Sequence, residues 1–108
     1  MGEMERACRE GWDPRDGEMT ERRLRRAMEH EGFEVAVYAY RPGTTFDWHA
    51  HVEDKCDAVV EGAFRIEVEG GETFDLRPGD RLYVPAGTRH RAEVVGSETV
   101  VSLDGTRR

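Results

Sequence analysis

Pro42-Gly43-Thr44-Thr45-Phe46-Asp47-Trp48-His49-Ala50-His51 carries enough signal to place the whole chain in a fold class. A Pro-Gly turn feeds a run of Thr, Phe and Trp, residue types that favour a pleated strand. Side chains on a strand alternate between faces, so His49 and His51 point the same way. A second segment repeats this plan of turn, strand and histidine: Pro78-Gly79-Asp80-Arg81-Leu82-Tyr83-Val84-Pro85-Ala86-Gly87-Thr88-Arg89-His90. Two imidazoles on one face, joined by a third from a later strand, can assemble a transition-metal site.

After Gly32 the chain reads as short strands with Gly or Pro between them. Phe33, Val35, Val37 and Ala39 share one face of a strand over 33–40. Further strands are expected over 45–51, 56–61, 63–69, 72–76, 81–84, 90–95 and 99–103. Turns fall at Val52-Glu53-Asp54, Gly62, Gly70-Gly71, Pro78-Gly79, Pro85-Ala86-Gly87 and Gly96. This spacing predicts an all-β sandwich or closed barrel over 33–108. Residues 1–32 read as an N-terminal extension. Within it, 1–19 are polar, contain Gly11, Pro14 and Gly17, and suit a loose arm or irregular cover. Thr20 can cap a short helix over 20–31, with Leu24, Ala27 and Met28 at helical spacing and Gly32 as the stop.

A chain of 108 residues, 36% charged and 37% hydrophobic, fits one small domain with a modest core. No apolar run approaches the roughly 18 residues that a bilayer span needs, and no hydrophobic leader follows the start. A cytoplasmic location without a membrane partner is therefore expected. Cys8 and Cys56 form no CxxC pair, so no structural disulfide is expected. Net charge is −7, with 23 Asp and Glu against 16 Lys and Arg, which argues against a nucleic-acid partner. Arg22-Arg23-Leu24-Arg25-Arg26 is read as the solvated face of the helix, with Glu18, Glu21, Glu29 and Glu31 around it, in preference to a phosphate-contacting patch.

Together the two segments resemble the cupin superfamily, a small β-barrel of the double-stranded β-helix or jelly-roll type with two signature motifs. In the first, G-x5-H-x-H-x3-4-E-x6-G, the residues Gly43, His49, His51 and the closing Gly62 match. In the second, G-x5-P-x-G-x2-H-x3-N, the matches are Gly79, Pro85, Gly87 and His90, and Val94 stands where the family has Asn. The resemblance covers residues 33–103. It implies that His49, His51 and His90 converge on one divalent transition metal (Zn, Ni, Fe, Mn or Cu). Counting back from Gly62, Lys55 occupies the position of the family's metal-binding Glu. The longer spacing puts Cys56 there instead, a tentative fourth ligand as its thiolate. The Lys55 register is favoured because it keeps Gly62 in place and gives Lys55 the face of His49 and His51. An ammonium has no free lone pair and cannot ligate. In that register Asp57 also points inward and can pair with Lys55, while Cys56 faces out.

Several residues keep two readings. Lys55 is either ion-paired with Asp57 or Asp47, or the tentative catalytic residue, binding an anionic substrate or acting as a base. The histidines are either metal ligands or hydrogen-bonding residues of a degenerate barrel. Tyr38, Tyr40 and Tyr83 can reach the interior, with packing as the plainer role. Phe46 and Trp48 alternate with the histidines and are expected to face outward, covered by the arm with Trp12 or by a second subunit. A homodimer follows from that expectation. The resemblance implies a small-molecule substrate in the barrel mouth and dioxygenase, isomerase or lyase chemistry. The competing class is a non-catalytic module that senses or stores a small ligand or metal, favoured by loss of the carboxylate ligand.

Overall fold

Strands with one apolar face are stable only when that face is covered, and here two sheets cover each other. The computed structural model describes residues 5–108. Among them run β1 (Cys8–Glu10), a single 3-10 turn (Pro14–Asp16), α1 (Glu21–His30), β2 (Glu34–Tyr40), β3 (Thr45–His49) and β4 (Asp54–Glu61). Then follow β5 (Ala63–Val68), β6 (Thr73–Leu76), β7 (Arg81–Val84), β8 (His90–Val95) and β9 (Val100–Arg107). One sheet has the order β1-β7-β4-β9-β2 and the other β3-β8-β5-β6, all pairs antiparallel. The chain passes repeatedly between the two sheets, which gives the all-β double-stranded barrel with a short helix that the sequence predicts. No helix among the described residues is long and apolar enough to cross a membrane.

The interior core draws Val59, Leu82 and Val84 from the first sheet and Phe64, Ile66 and Val94 from the second. Full burial of each such side chain contributes about 2 kcal/mol of transfer free energy. A second cluster lies on the outer face of the five-stranded sheet. There Leu24 and Met28, one turn apart on α1, pack with Phe33, Cys56, Ala58 and Leu103. The Thr20 hydroxyl caps the helix by accepting from the Arg23 N–H at 3.1 Å. Gly105 on β9 lets the helix approach, since a Cβ there would meet Met28 Cε at 3.0 Å.

The N-terminal arm departs from the expected loose cover. Its residues 1–4 lie outside the described residues. Cys8–Glu10 forms an edge strand on β7, and the buried Arg81 guanidinium ties it down, reaching Glu10 at 3.1 Å and Glu31 at 3.2 Å. Cys-Arg-Glu has no apolar alternation, so nothing local marks it as a strand. Trp12 packs on the outer cluster beside Gly79, not against the strand that carries Phe46. Strand ends also shift through pairing. β3 stops at His49, and the His51 carbonyl accepts from the Gly87 N–H at 2.7 Å. β4 begins early and β9 runs late because Asp54 and Arg107 pair with each other.

Candidate metal centre

β3 and β8 lie side by side with His49 opposite His90. Their register shifts by one residue between Phe46 and His49, and Asp47 Oδ1 accepts from the Trp48 N–H at 2.8 Å within the irregularity. An extra residue on one strand reverses the face of everything before it. Phe46 therefore points inward like His49, which corrects the expected outward orientation. It packs on the interior core, with its ring 4.8 Å from Tyr40 and 6.1 Å from Phe64. Trp48 keeps the other side, with the guanidinium groups of Arg91 and Arg89 at 4.9 and 5.9 Å from its ring. The outward aromatic pair behind the homodimer expectation is thereby removed.

His51, just past β3, returns to the face of His49. The ring centroids are 5.0 Å apart for His49 and His51, 4.3 Å for His49 and His90, and 5.5 Å for His51 and His90. One nitrogen from each ring lies within 4.8 Å of the other two. A set this close could hold one ion. Nδ1 of His49 contacts the Asp47 carbonyl at 2.6 Å, and Nδ1 of His90 the Thr88 carbonyl at 2.9 Å. A carbonyl can only accept, so each Nδ1 carries a hydrogen, and in the neutral ring the Nε2 then holds the lone pair. Backbone bonds of this kind fix the tautomer and ring orientation of metal-bound histidines. Burial lowers the pKa of both His51 and His90, and the Lys55 charge adds to the effect at His51. Three converging imidazoles are a donor set that fits a divalent transition ion.

A cavity of about 200 Å³ opens in front of the imidazoles. Tyr40, Phe46, Phe64 and Ile66 line its apolar side, and Lys55, Asp57, Ser102 and Asp104 its polar side. Lys55 is only 7% exposed; its Nζ lies 2.7 Å from Asp104 Oδ1 and donates to Thr106 Oγ1 at 2.6 Å. Its partner is thus Asp104, a correction to the expected pairing with Asp57 or Asp47. Strand pairing explains the choice: Thr106 sits opposite Lys55 and Asp104 opposite Asp57, so the long lysine reaches its diagonal neighbour. Asp57 is the direct cross-strand neighbour of Asp104, and burial, followed by the Asp104 charge, raises its pKa. Asp104 and Thr106 escape the sequence reading because the last strand is expected to end at residue 103. The available signal is the polar alternation Ser102, Asp104, Thr106.

Cys56 is not brought to the imidazoles. The alternation that turns Lys55 inward turns Cys56 to the outer cluster beneath α1, fully buried. Burial pushes its thiol pKa up and keeps it S–H, so the tentative fourth ligand is withdrawn. Among the tyrosines, Tyr40 lines the cavity, Tyr38 stacks on it at 6.1 Å, and Tyr83 lies on the outer face, donating to Glu31 at 2.7 Å. Val94, in the motif's Asn position, is a core residue. In the basic helix segment Arg23 donates to the Glu18 carbonyl and Arg25 to the Val35 carbonyl, each at 2.8 Å. A wider hollow of about 460 Å³ on the outside of β3, β5 and β8 is lined by Arg65, Glu67, Arg91 and Glu93. These charges already pair within the sheet, Arg91 with Glu67 at 2.9 Å and Arg65 with Glu93 at 3.6 Å.

Residues 36–105 match the cupin domain family. The chain is a cupin. This cupin is 36% identical over 64 residues to an uncharacterized protein of Streptomyces coelicolor, a match covering 59% of this chain and 60% of that one. It spans about three fifths of that relative's length and smaller shares of the other curated relatives it matches. Among solved structures, KdgF from Halomonas sp. superimposes with a TM-score of 0.61 at 30% identity, covering 70% of this cupin and 69% of that chain. Bacillus subtilis oxalate decarboxylase, a protein with Mn(II) centers, gives 0.62 at 28% identity, covering 69% of this cupin and 21% of that chain.

Proposed function

We propose that this cupin binds one divalent transition metal through His49, His51 and His90 and takes a small molecule into the adjoining cavity. The observation that carries the reading is the convergence of one nitrogen from each of three rings within 4.8 Å, with Nδ1 of His49 and His90 held by the Asp47 and Thr88 carbonyls. The Mn(II) centers of the similar oxalate decarboxylase support the class of ion. When bound, a metal supplies Lewis-acid or oxygen-activating chemistry for a ligand oxygen. Asp104 already neutralises Lys55, and three imidazoles bring no negative charge, so His49, His51 and His90 would hold an ion whose charge is left to draw an anionic group. Phe46, Phe64 and Ile66 exclude water from one side of the ligand. Tyr40, whose pKa burial and then the Asp104 and Asp57 charges push up to about 12, stays a hydrogen-bond donor there.

As an enzyme, the protein would carry out dioxygenase-like, isomerase or lyase chemistry. A second reading, a non-catalytic module that senses or stores a small ligand or metal, draws on Lys55 at the family's carboxylate position. Titration of the metal-free chain with Zn, Mn, Fe, Ni or Cu, followed by calorimetry and melting, tests the metal. Uptake is expected to stabilise the fold by about 2.7 kcal/mol at a hundredfold excess over Kd. His49→Ala and His90→Ala should abolish that gain. No uptake of any of these ions by the wild type would end the metal reading. Oxygen uptake with small phenols and diketones, together with proton-exchange assays, separates enzyme from module.

A further inference from the structure

The polar side of the cavity holds more acid than base. We propose that Asp57 and Asp104, anchored by Lys55, share a single proton and serve as the proton carrier of the cavity. This rests on the reading above and narrows its chemistry to isomerisation or elimination on a small oxygen-bearing acid. Asp57 and Asp104 are direct cross-strand neighbours on β4 and β9, and both line the cavity that the imidazoles line. Among the described residues Lys55 is the single lysine or arginine lining that cavity, and it is paired with Asp104 at 2.7 Å. One ammonium therefore stands against two carboxyl groups in a wall where the Lys55 and Asp104 side chains are 9% and 29% exposed.

Two carboxyl groups at facing cross-strand positions with one counter-ion are costly to ionise together away from water, and a shared proton removes the excess charge. A hydrogen bond between the two would need that proton, since a carboxylate can only accept. The other groups around the pair are Tyr40 from β2, Ser102 and Thr106 from β9, His49 from β3, His51 just past it and His90 from β8. In an isomerisation, the proton leaving carbon adds to the ionised carboxylate of the pair, and its C–H electron pair stays on the ligand as an enolate. A proton from the pair then returns to the neighbouring atom, so no oxidant or reductant is needed.

Infrared spectroscopy of the metal-free full chain at neutral pH reads the carbonyl stretch of a protonated carboxyl apart from the carboxylate bands. The band is expected in the wild type and should vanish in both Asp57→Asn and Asp104→Asn, because one carboxyl then faces one ammonium. Its absence from the wild type, or its survival in either variant, would overturn proton sharing. The carrier role is tested with zinc-loaded protein and pyruvate in deuterated water, where NMR reads exchange of the methyl hydrogens. Exchange is expected in the wild type and at least tenfold slower in Asp57→Asn with zinc uptake unchanged. No exchange in zinc-loaded wild type would overturn the carrier role. Failure to take up zinc would instead count against the metal reading and leave the infrared result standing.

Discussion

Lys55 sets the character of the polar wall. With Asp104 and Thr106 it forms a cross-strand anchor in which the lysine is nearly buried. Removing one partner of such a pair leaves an uncompensated charge, so Lys55→Met is expected to lower unfolding free energy by about 3 kcal/mol in urea titrations at neutral pH. The loss should shrink on acidification, because protonated carboxyls need no counter-ion. Lys55→Glu would restore the family's ligand type but strand Asp104, so it should raise metal affinity while lowering the melting temperature. Asp57 makes the pH dependence explicit. Its folded pKa is raised from 3.8 to about 7, chiefly by burial and then by the Asp104 charge. The folded state thus holds a proton that the unfolded chain has released, and stability falls as pH rises. Its contribution is full below about 4 and lost as pH passes through about 7. Asp57→Asn is expected to flatten that slope in stability measured across this window.

At the scale of elements, the turns and the sheet face of most strands were legible, and the irregularities were not. Strands at 81–84 and 90–95 match their expected limits, because Pro-Gly and Pro-Ala-Gly turns bound them with locally defined backbone. Gly62, between β4 and β5, shows why a turn glycine can be more than punctuation. It sits at φ +84°, and a Cβ there would lie 2.8 Å from the Thr99 carbonyl oxygen. Gly96 has φ +83° with nothing within 4 Å of its would-be Cβ. Gly96→Ala should therefore cost about 1 kcal/mol from backbone strain alone, and Gly62→Ala about 3 kcal/mol or more because backbone must also move. Chemical denaturation of the two variants side by side measures the difference. The Phe46–His49 irregularity lacked such a local signature. It belongs to the pairing of β3 with β8, and neither strand announces it alone.

Across the whole molecule, Arg81 joins three parts of the chain, binding Glu10 on β1 and Glu31 after α1 from its place on β7. Tyr83 reinforces the contact by donating to Glu31 at 2.7 Å. Arg81→Ala strips both carboxylates of their buried partner and is expected to cost about 3 kcal/mol. Hydrogen exchange in that variant should accelerate first in β1 and α1, with β4 and β9 least affected. From residue types and spacing alone came the all-β class, the helix, the turn positions and the common face of His49 and His51. Those features rest on alternation, capping and positive-φ glycines, which are properties of a few adjacent residues. The partner of Lys55, the inward turn of Phe46, the burial of Cys56 beneath α1 and the strand at Cys8–Glu10 came from long-range pairing. Lys55 and Thr106 are 51 residues apart along the chain, and contacts at that separation depend on which strands become neighbours and in which register.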